Sequence, residues 1–295
     1  MYKFKIFALR VLRRLGLIKY LNLSINVKKK DKLFTIPVVG GIGFANIFDD
    51  EPWMDDVLTI LSKEVKSGSF IDVGVNIGQT LIKVKSNFEN NIKYLGFEPN
   101  ASCLNYCNKL TAENNWGIGL NILPVAISQE VGLIQLFKYS SGETDPSASI
   151  MQNFRPNENV VEIQYIVSLR FNDIFRQFEE TISPRIVKID VEGAELQVIE
   201  SLMNIVKKFN PIVLMEILPS YTTENLERIN RQNILSEIFT DLDYQIYRIF
   251  KLNSNNFSHL SPLHQNQIEI HSKIEFSDYI FIHKDDLVRE AFTIK

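Results

Sequence analysis

Two clusters of acids and glycines stand out among the 295 residues. The first is Phe70-Ile71-Asp72-Val73-Gly74-Val75-Asn76-Ile77-Gly78-Gln79, where an apolar run ends in an aspartate and two glycines. Gly74 permits a tight turn and close approach of a ligand to the backbone, and Gly78 permits close packing where a helix begins. The second is Lys188-Ile189-Asp190-Val191-Glu192-Gly193-Ala194-Glu195. Asp190 closes an apolar run, Gly193 allows a turn, and Glu216 sits at the end of a further apolar run over 212–217. Carboxylates at neighbouring strand ends can hold a cation, accept a proton, or do both. Asp190, Glu192 and Glu216 are therefore the candidate catalytic residues. The plainer reading of Glu192 and Glu195 is that acids in a first helical turn favour the helix dipole.

The first cluster reads Gly-x-x-x-Gly with Asn76 in its middle. Dinucleotide-binding turns read Gly-x-Gly-x-x-Gly, because the backbone must approach a pyrophosphate at the second glycine. Here a side chain stands in that place, and Asp72 adds negative charge. That suits a cation, and S-adenosylmethionine carries both an ammonium and a sulfonium. Glu98 follows Gly78 by 20 residues, and Pro99 turns the chain away. A carboxylate there can accept from both hydroxyls of a ribose.

Other chemistries find less support. Gly40, Gly41 and Gly43 have no Lys-Ser or Lys-Thr after them, so they make no phosphate loop. Cys103 and Cys107 lie one helical turn apart and read as packed thiols. The four histidines, at 259, 264, 271 and 283, show no ligand spacing, and no metal is expected.

The elements that must carry these residues alternate. Short apolar runs at 69–73, 93–97, 121–127, 185–190, 212–217, 244–250 and 279–283 read as strands. Helical spacing covers 51–66, 79–88, 101–113, 194–208 and 223–239. Strands alternating with helices imply an α/β fold, a mostly parallel sheet covered on both faces. Residues 128–183 interrupt the pattern with two strands, 133–139 and 162–169, around a polar loop at 140–159. Loops that long are commonly lids or binding loops, and Tyr139, Phe154, Arg155 and Arg170 are its candidate acceptor contacts. Residues 251–277, rich in Asn, Ser and His, read as a connection between the last two strands.

Together, 70–79, Phe97-Glu98-Pro99, Val125-Ala126-Ile127-Ser128, 188–195 and Met215-Glu216-Ile217 resemble the FkbM-type methyltransferase family. The resemblance implies a class I methyltransferase, Rossmann-like fold. Its sheet has seven strands, mostly parallel, with the last reversed and a β insertion between the third and fourth. It also implies S-adenosylmethionine as cofactor and O-methylation of a hydroxyl on a sugar, a glycan or a related natural product. Asp72, Gly74, Asn76 and Gly78 would then hold the methionine part and Glu98 the ribose. Pro99 and Ala126 would lie near the adenine, with Asp190 and Glu192 facing the methyl group and acceptor. Two positions depart from the family pattern. Val75 stands where Ala is usual, and Ser168-Leu169-Arg170 replaces a usual Leu-Asp, reversing a charge.

Residues 1–50 match none of this and form a separate basic arm before a methyltransferase domain at 51–290. Residues 1–30 hold nine Lys or Arg and no acid, and the remainder carries 23 basic against 35 acidic side chains, a net of −12. So acidic a body makes a poor nucleic-acid grip. Phe4, Phe7, Ala8, Val11, Leu15 and Ile18 form an apolar stripe at helical spacing, while Ile6, Leu9 and Leu17 fall on the polar side. Such a helix packs on the body or on a second subunit, or lies on an anionic membrane. Arg10, Arg13 and Arg14 interrupt any secretory apolar core. The expected setting is the cytoplasm or the inner membrane surface. The competing functions are a non-catalytic S-adenosylmethionine-binding protein and a nicotinamide-dependent oxidoreductase.

Overall fold

A computed structural model describes residues 2–48, 51–89, 92–152, 154–155 and 158–295, of 2–6 the backbone alone. Asn153, Pro156 and Asn157 of the polar loop, and the side chain of Phe4, lie outside the described part.

Helix α1 (Tyr2–Arg14) precedes a hairpin of β1 (Asn22–Lys29) and β2 (Lys32–Val39). The hairpin alternates, burying Ile25 and Val27 on one strand and Phe34, Ile36 and Val38 on the other. Then follow α2 (Pro52–Glu64), β3 (Gly68–Val73), α3 (Gln79–Asn87), β4 (Ile92–Phe97), α4 (Ala101–Glu113) and β5 (Leu120–Leu123). Next come β6 (Ala126–Ile127), β7 (Gly132–Lys138), β8 (Glu162–Leu169) and α5 (Phe171–Phe175). The chain continues through β9 (Pro184–Ile189), α6 (Glu195–Phe209), β10 (Ile212–Glu216) and α7 (Leu226–Asp241). The last strands are β11 (Tyr244–Lys251), β12 (Phe257–Pro262) and β13 (Asp278–His283).

The main sheet has the order β12-β11-β13-β10-β9-β3-β4-β5. From β10 to β5 it is parallel, and β13 runs antiparallel to β10 and β11. This is the expected α/β architecture with its last strand, β13, reversed, and β12 at the edge runs antiparallel to β11 and is reversed as well. Alternate residues of β3 enter two different hydrophobic clusters, Phe70 on one side and Ile71 and Val73 on the other. The hairpin, α2, α3 and α4 cover the first face, and α5, α6 and α7 the second. Asn114, just past α4, clamps the hairpin to that helix, accepting from Thr35 N at 2.8 Å and donating to Thr35 O at 2.7 Å.

Three expectations need correction. The main sheet has eight strands, not seven, because β12 arises within 251–277. Its pairing with β11 is a backbone ladder, and Leu260 is the one residue it buries fully, so almost no apolar pattern announced it. The strand expected at 121–127 is two strands. Pro124 has no N–H to continue the ladder, so β5 ends at Leu123 and β6 pairs instead with β8. The insertion accordingly forms a three-stranded sheet of order β6-β8-β7, and it carries the short α5 that periodicity did not show.

Candidate active site

The site is built at the carboxyl ends of β3, β4, β9 and β10. Gly74 has φ +91, and a Cβ there would lie 1.9 Å from the Asp190 carbonyl oxygen, so no side chain fits. The Asp190 N–H donates to Val73 O at 3.0 Å, pinning the end of β9 to β3. The Gly74 and Val75 N–H groups donate to Phe97 O at 3.0 and 3.2 Å, tying the turn to β4. Asn76 is left-handed at φ +49. Its N–H donates to Glu98 Oε2 at 2.7 Å, and the Asn100 N–H donates to Oε1 at 2.7 Å. Both cysteines are buried free thiols that support this turn, Cys103 donating to Asn76 Oδ1 and Cys107 to Asn76 O.

A cavity of about 220 Å³ opens above the turn. Gly74, Asn76, Glu98, Pro99, Ala126, Asp190, Glu192 and Glu216 all line it. Asp72 and Gly78 do not. Asp72 is fully buried beneath the floor, where the Tyr94 hydroxyl donates to Oδ2 and Lys188 Nζ stands 3.7 Å from Oδ1. The same ammonium donates to Asp190 Oδ2 at 3.0 Å and Gly74 O at 3.3 Å, so Lys188 joins three parts of the site. Burial raises the Asp72 pKa, and Lys188 opposes that. Burial works against the Lys188 charge, but Asp190 and Asp72 more than offset it and raise the lysine's pKa. Gly78, at φ +76, caps α3 and packs against Leu110 and Cys107.

The lining acids differ in protonation. Glu98 is pushed up to about 7 by burial, against the two backbone N–H groups that hold it. Glu192 is also pushed up to about 7, by burial and then by Asp190, while Arg155 pulls it down through a 2.8 Å contact. Burial raises Glu216 furthest, reinforced by Asp190, Asp278, Glu192 and Glu51, so it keeps its proton at neutral pH. Asp278 pairs directly with Glu216 across the β10–β13 ladder, and its own pKa is raised by burial against its partner Lys251.

The insertion roofs the cavity, contributing Leu136, Asp145, Pro146, Ala148 and Ile150 to its lining. Sequence reasoning placed a lid here without naming these residues; the Asp145-Pro146 pair was the available turn signal. Asp145 is a structural acid. It accepts from the N–H groups of Tyr139, Ser140 and Ser147 at 2.6, 2.9 and 3.1 Å. The lid is fastened to the second acidic cluster, since Ser149 Oγ donates to Glu192 O at 2.6 Å. Gly193, at φ +102, lets the Phe154 ring lie where a Cβ would clash at 2.3 Å.

Beyond Glu192 a second cavity of about 610 Å³ lies between the lid and the start of α7. Phe154, Arg155, Tyr221 and Arg228 line it, and the Arg228 guanidinium stacks 4.1 Å from the Phe154 ring centre. Of the four expected acceptor contacts, Phe154 and Arg155 are here. Tyr139 is buried elsewhere in the lid, and Arg170 lies on the surface, bonded to Gln129 O at 3.1 Å. Among the described residues no group of three or more His, Cys, Asp or Glu is arranged to hold a metal ion.

The family model described as "Methyltransferase FkbM domain" matches residues 72–249. Comparison with curated proteins gives no match. Among solved structures, the chain is similar to methyltransferase FkbM from Methylobacillus flagellatus KT, at 14% identity and a TM-score of 0.44. That match covers 73% of this chain and 44% of the other, so the chain spans less than half the length of that relative. It is also similar to an O-methyltransferase from Bacillus cereus in complex with SAH, with 8% identity, 80% and 83% coverage and a TM-score of 0.45. A third is the O-methyltransferase TomG from Streptomyces achromogenes, in complex with SAM, at 9% identity, 78% and 79% coverage and a TM-score of 0.43.

Proposed function

The chain belongs to the FkbM methyltransferase family, and on that premise we propose that it methylates a hydroxyl of a sugar, glycan or related natural product, using S-adenosylmethionine and Glu192 as general base. The cavity over the Gly74 turn suits this cofactor. It presents three carboxylates, at Glu98, Asp190 and Glu192, toward a ligand that carries positive charge, with Gly74 beside them in the lining. Gly74, Asn76 and Asp190 would hold the methionine part, and Glu98 the ribose. Pro99 and Ala126 would flank the adenine. Asp72 and Gly78 serve from beneath, Asp72 through Lys188 and Gly78 through the start of α3. When bound, S-adenosylmethionine supplies a methyl group activated by its sulfonium.

The observation that carries the choice of base is the state of the three candidate catalytic acids in the lining, Asp190, Glu192 and Glu216, Glu98 being held by two backbone N–H groups. A general base works best with a pKa near the operating pH. Glu216 already holds its proton, and Asp190 is engaged by the Lys188 ammonium at 3.0 Å. Glu192 titrates near 7 and has Arg155 to steady its carboxylate. Its left-handed backbone at φ +52 aims the side chain from a fixed turn. Glu192 takes the proton that the acceptor hydroxyl loses, beneath the insertion that roofs the cavity. The adjoining cavity, with Phe154, Tyr221 and Arg228, suits an acceptor that offers ring faces and hydroxyls. Holding the two reactants in line can supply several kcal/mol, up to about 10, by orientation alone.

Calorimetric titration with S-adenosylmethionine and with NADH, joined to transfer of labelled methyl onto a panel of sugars, tests this reading. S-adenosylmethionine alone binds, Glu98→Ala weakens it about tenfold or more, and Glu192→Gln slows transfer by about a hundredfold or more while retaining cofactor. Preference for NADH, or full transfer by Glu192→Gln, would refute it.

A further inference from the structure

Helix α1 is docked the opposite way round from its apolar stripe. Leu9, on the nominally polar side, is 4% exposed and belongs to the core cluster shared with the hairpin and α2. Two guanidiniums complete the seat, Arg10 lying 4.7 Å from the Phe48 ring centre and Arg13 4.8 Å from that of Phe44. Three members of the stripe consequently face out, Phe7 65%, Val11 37% and Leu15 64% exposed, while Ile18, past the helix, packs against the same core cluster. Three large apolar side chains in a row, Phe7 and Val11 on the helix and Leu15 just past its end, are not ordinary scattered surface hydrophobes. Arg14, also exposed, lies beside the stripe on the helical wheel.

Charge identifies what covers this face. Helix α1 carries five basic residues, Lys3, Lys5, Arg10, Arg13 and Arg14, and no acid. A basic helix with an outward apolar stripe matches a surface that is anionic outside and apolar just beneath, which is an anionic bilayer. A second copy of the stripe would bring like charges together instead. The helix also sits beside the active site. Arg13 lines a small cavity together with Ile77 of the glycine turn and Thr144 of the lid, each adjacent in sequence to a residue lining the main cavity, Asn76 and Asp145. We infer that α1 lays this protein on an anionic membrane surface, with Phe7, Val11 and Leu15 entering the headgroup boundary and Arg14 meeting lipid phosphates.

Co-sedimentation of the full chain with vesicles of phosphatidylcholine and phosphatidylglycerol tests this. The protein should pellet with these vesicles, and poorly with phosphatidylcholine alone or in high salt. Replacing Phe7, Val11 and Leu15 together by Ser should lower partitioning at least about tenfold, and Arg14→Gln about fivefold. These side chains are exposed, so both variants should melt like the parent. Failure to pellet with anionic vesicles, or pelleting unchanged by the triple substitution, would overturn the inference. So would a dimer in vesicle-free solution that the triple substitution dissociates, because the stripe would then belong to a second copy.

Discussion

Lys188→Met isolates the buried electrostatics beneath the site. Methionine keeps most of the stem's volume and removes the charge, leaving fully buried Asp72 with only the Tyr94 hydroxyl. An unpaired buried carboxylate protonates rather than remain charged. Protonating it at pH 7, against an unfolded pKa of about 3.9, costs about 4 kcal/mol, since each unit is about 1.4 kcal/mol. That is the ceiling on this electrostatic cost. At pH 5 the ceiling falls to about 1.5 kcal/mol by the same arithmetic. The sign follows from linkage. A carboxyl whose folded pKa lies above its unfolded value binds more protons when folded, so its penalty grows as pH rises above the unfolded pKa. An unfolding entropy of about 2.1 cal/mol/K per residue over 295 residues makes 1 kcal/mol worth roughly 1.6 °C. Thermal melts followed by circular dichroism should therefore show losses of up to about 7 °C at pH 7 and about 2 °C at pH 5. Lys188→Met combined with Asp72→Asn should recover most of the loss at pH 7. A loss independent of pH, or a double variant no more stable than Lys188→Met, would show that the lysine matters for packing rather than as the counter-ion of Asp72.

Three further outcomes follow from the site. Glu192→Gln should lower kcat by about a hundredfold to ten-thousandfold with cofactor Kd nearly unchanged, and should remove the fall in rate seen as pH drops through about 7. Arg155→Met removes the cation that lowers the Glu192 pKa, so the acid limb of the kcat profile should move to higher pH; an unmoved limb would dissociate Arg155 from the base. Gly74→Ala places a Cβ 1.9 Å from Asp190 O at a φ of +91. It should lose at least about 1–2 kcal/mol of stability in a melt and also weaken S-adenosylmethionine binding by calorimetry.

Much of the fold was legible because the central strands are buried on both faces. Phe70, Ile71 and Val73, and Ile186, Val187 and Ile189, read as apolar runs interrupted only by Asp72 and Lys188, ending at Gly74 and at Asp190. What escaped was held by other means. β12 has a ladder but almost no apolar pattern, and the departure of β6 followed from one missing N–H at Pro124. The apolar stripe of α1 was visible, but its direction was not, because Leu9 and two guanidiniums on aromatic rings outcompeted it for the body.

The candidate site divides in the same way. Chain order alone placed Gly74, Glu98, Asp190, Glu192 and Glu216 at strand ends, since a strand's end is a local property of spacing and residue type. It also marked Asp72 as an acid beside the ligand, and there the third dimension intervened. Asp72 comes just before the end of β3, and successive strand residues point to opposite sides, which carried it under the floor to meet Tyr94 and Lys188. Which carboxylate is free to accept a proton is set by neighbours remote in sequence. Asp278 reaches Glu216 through the β10–β13 register, and Arg155 reaches Glu192 from the lid. Local sequence sets where acids stand; burial and through-space charge, which exist only once the chain is packed, set what each of them can do.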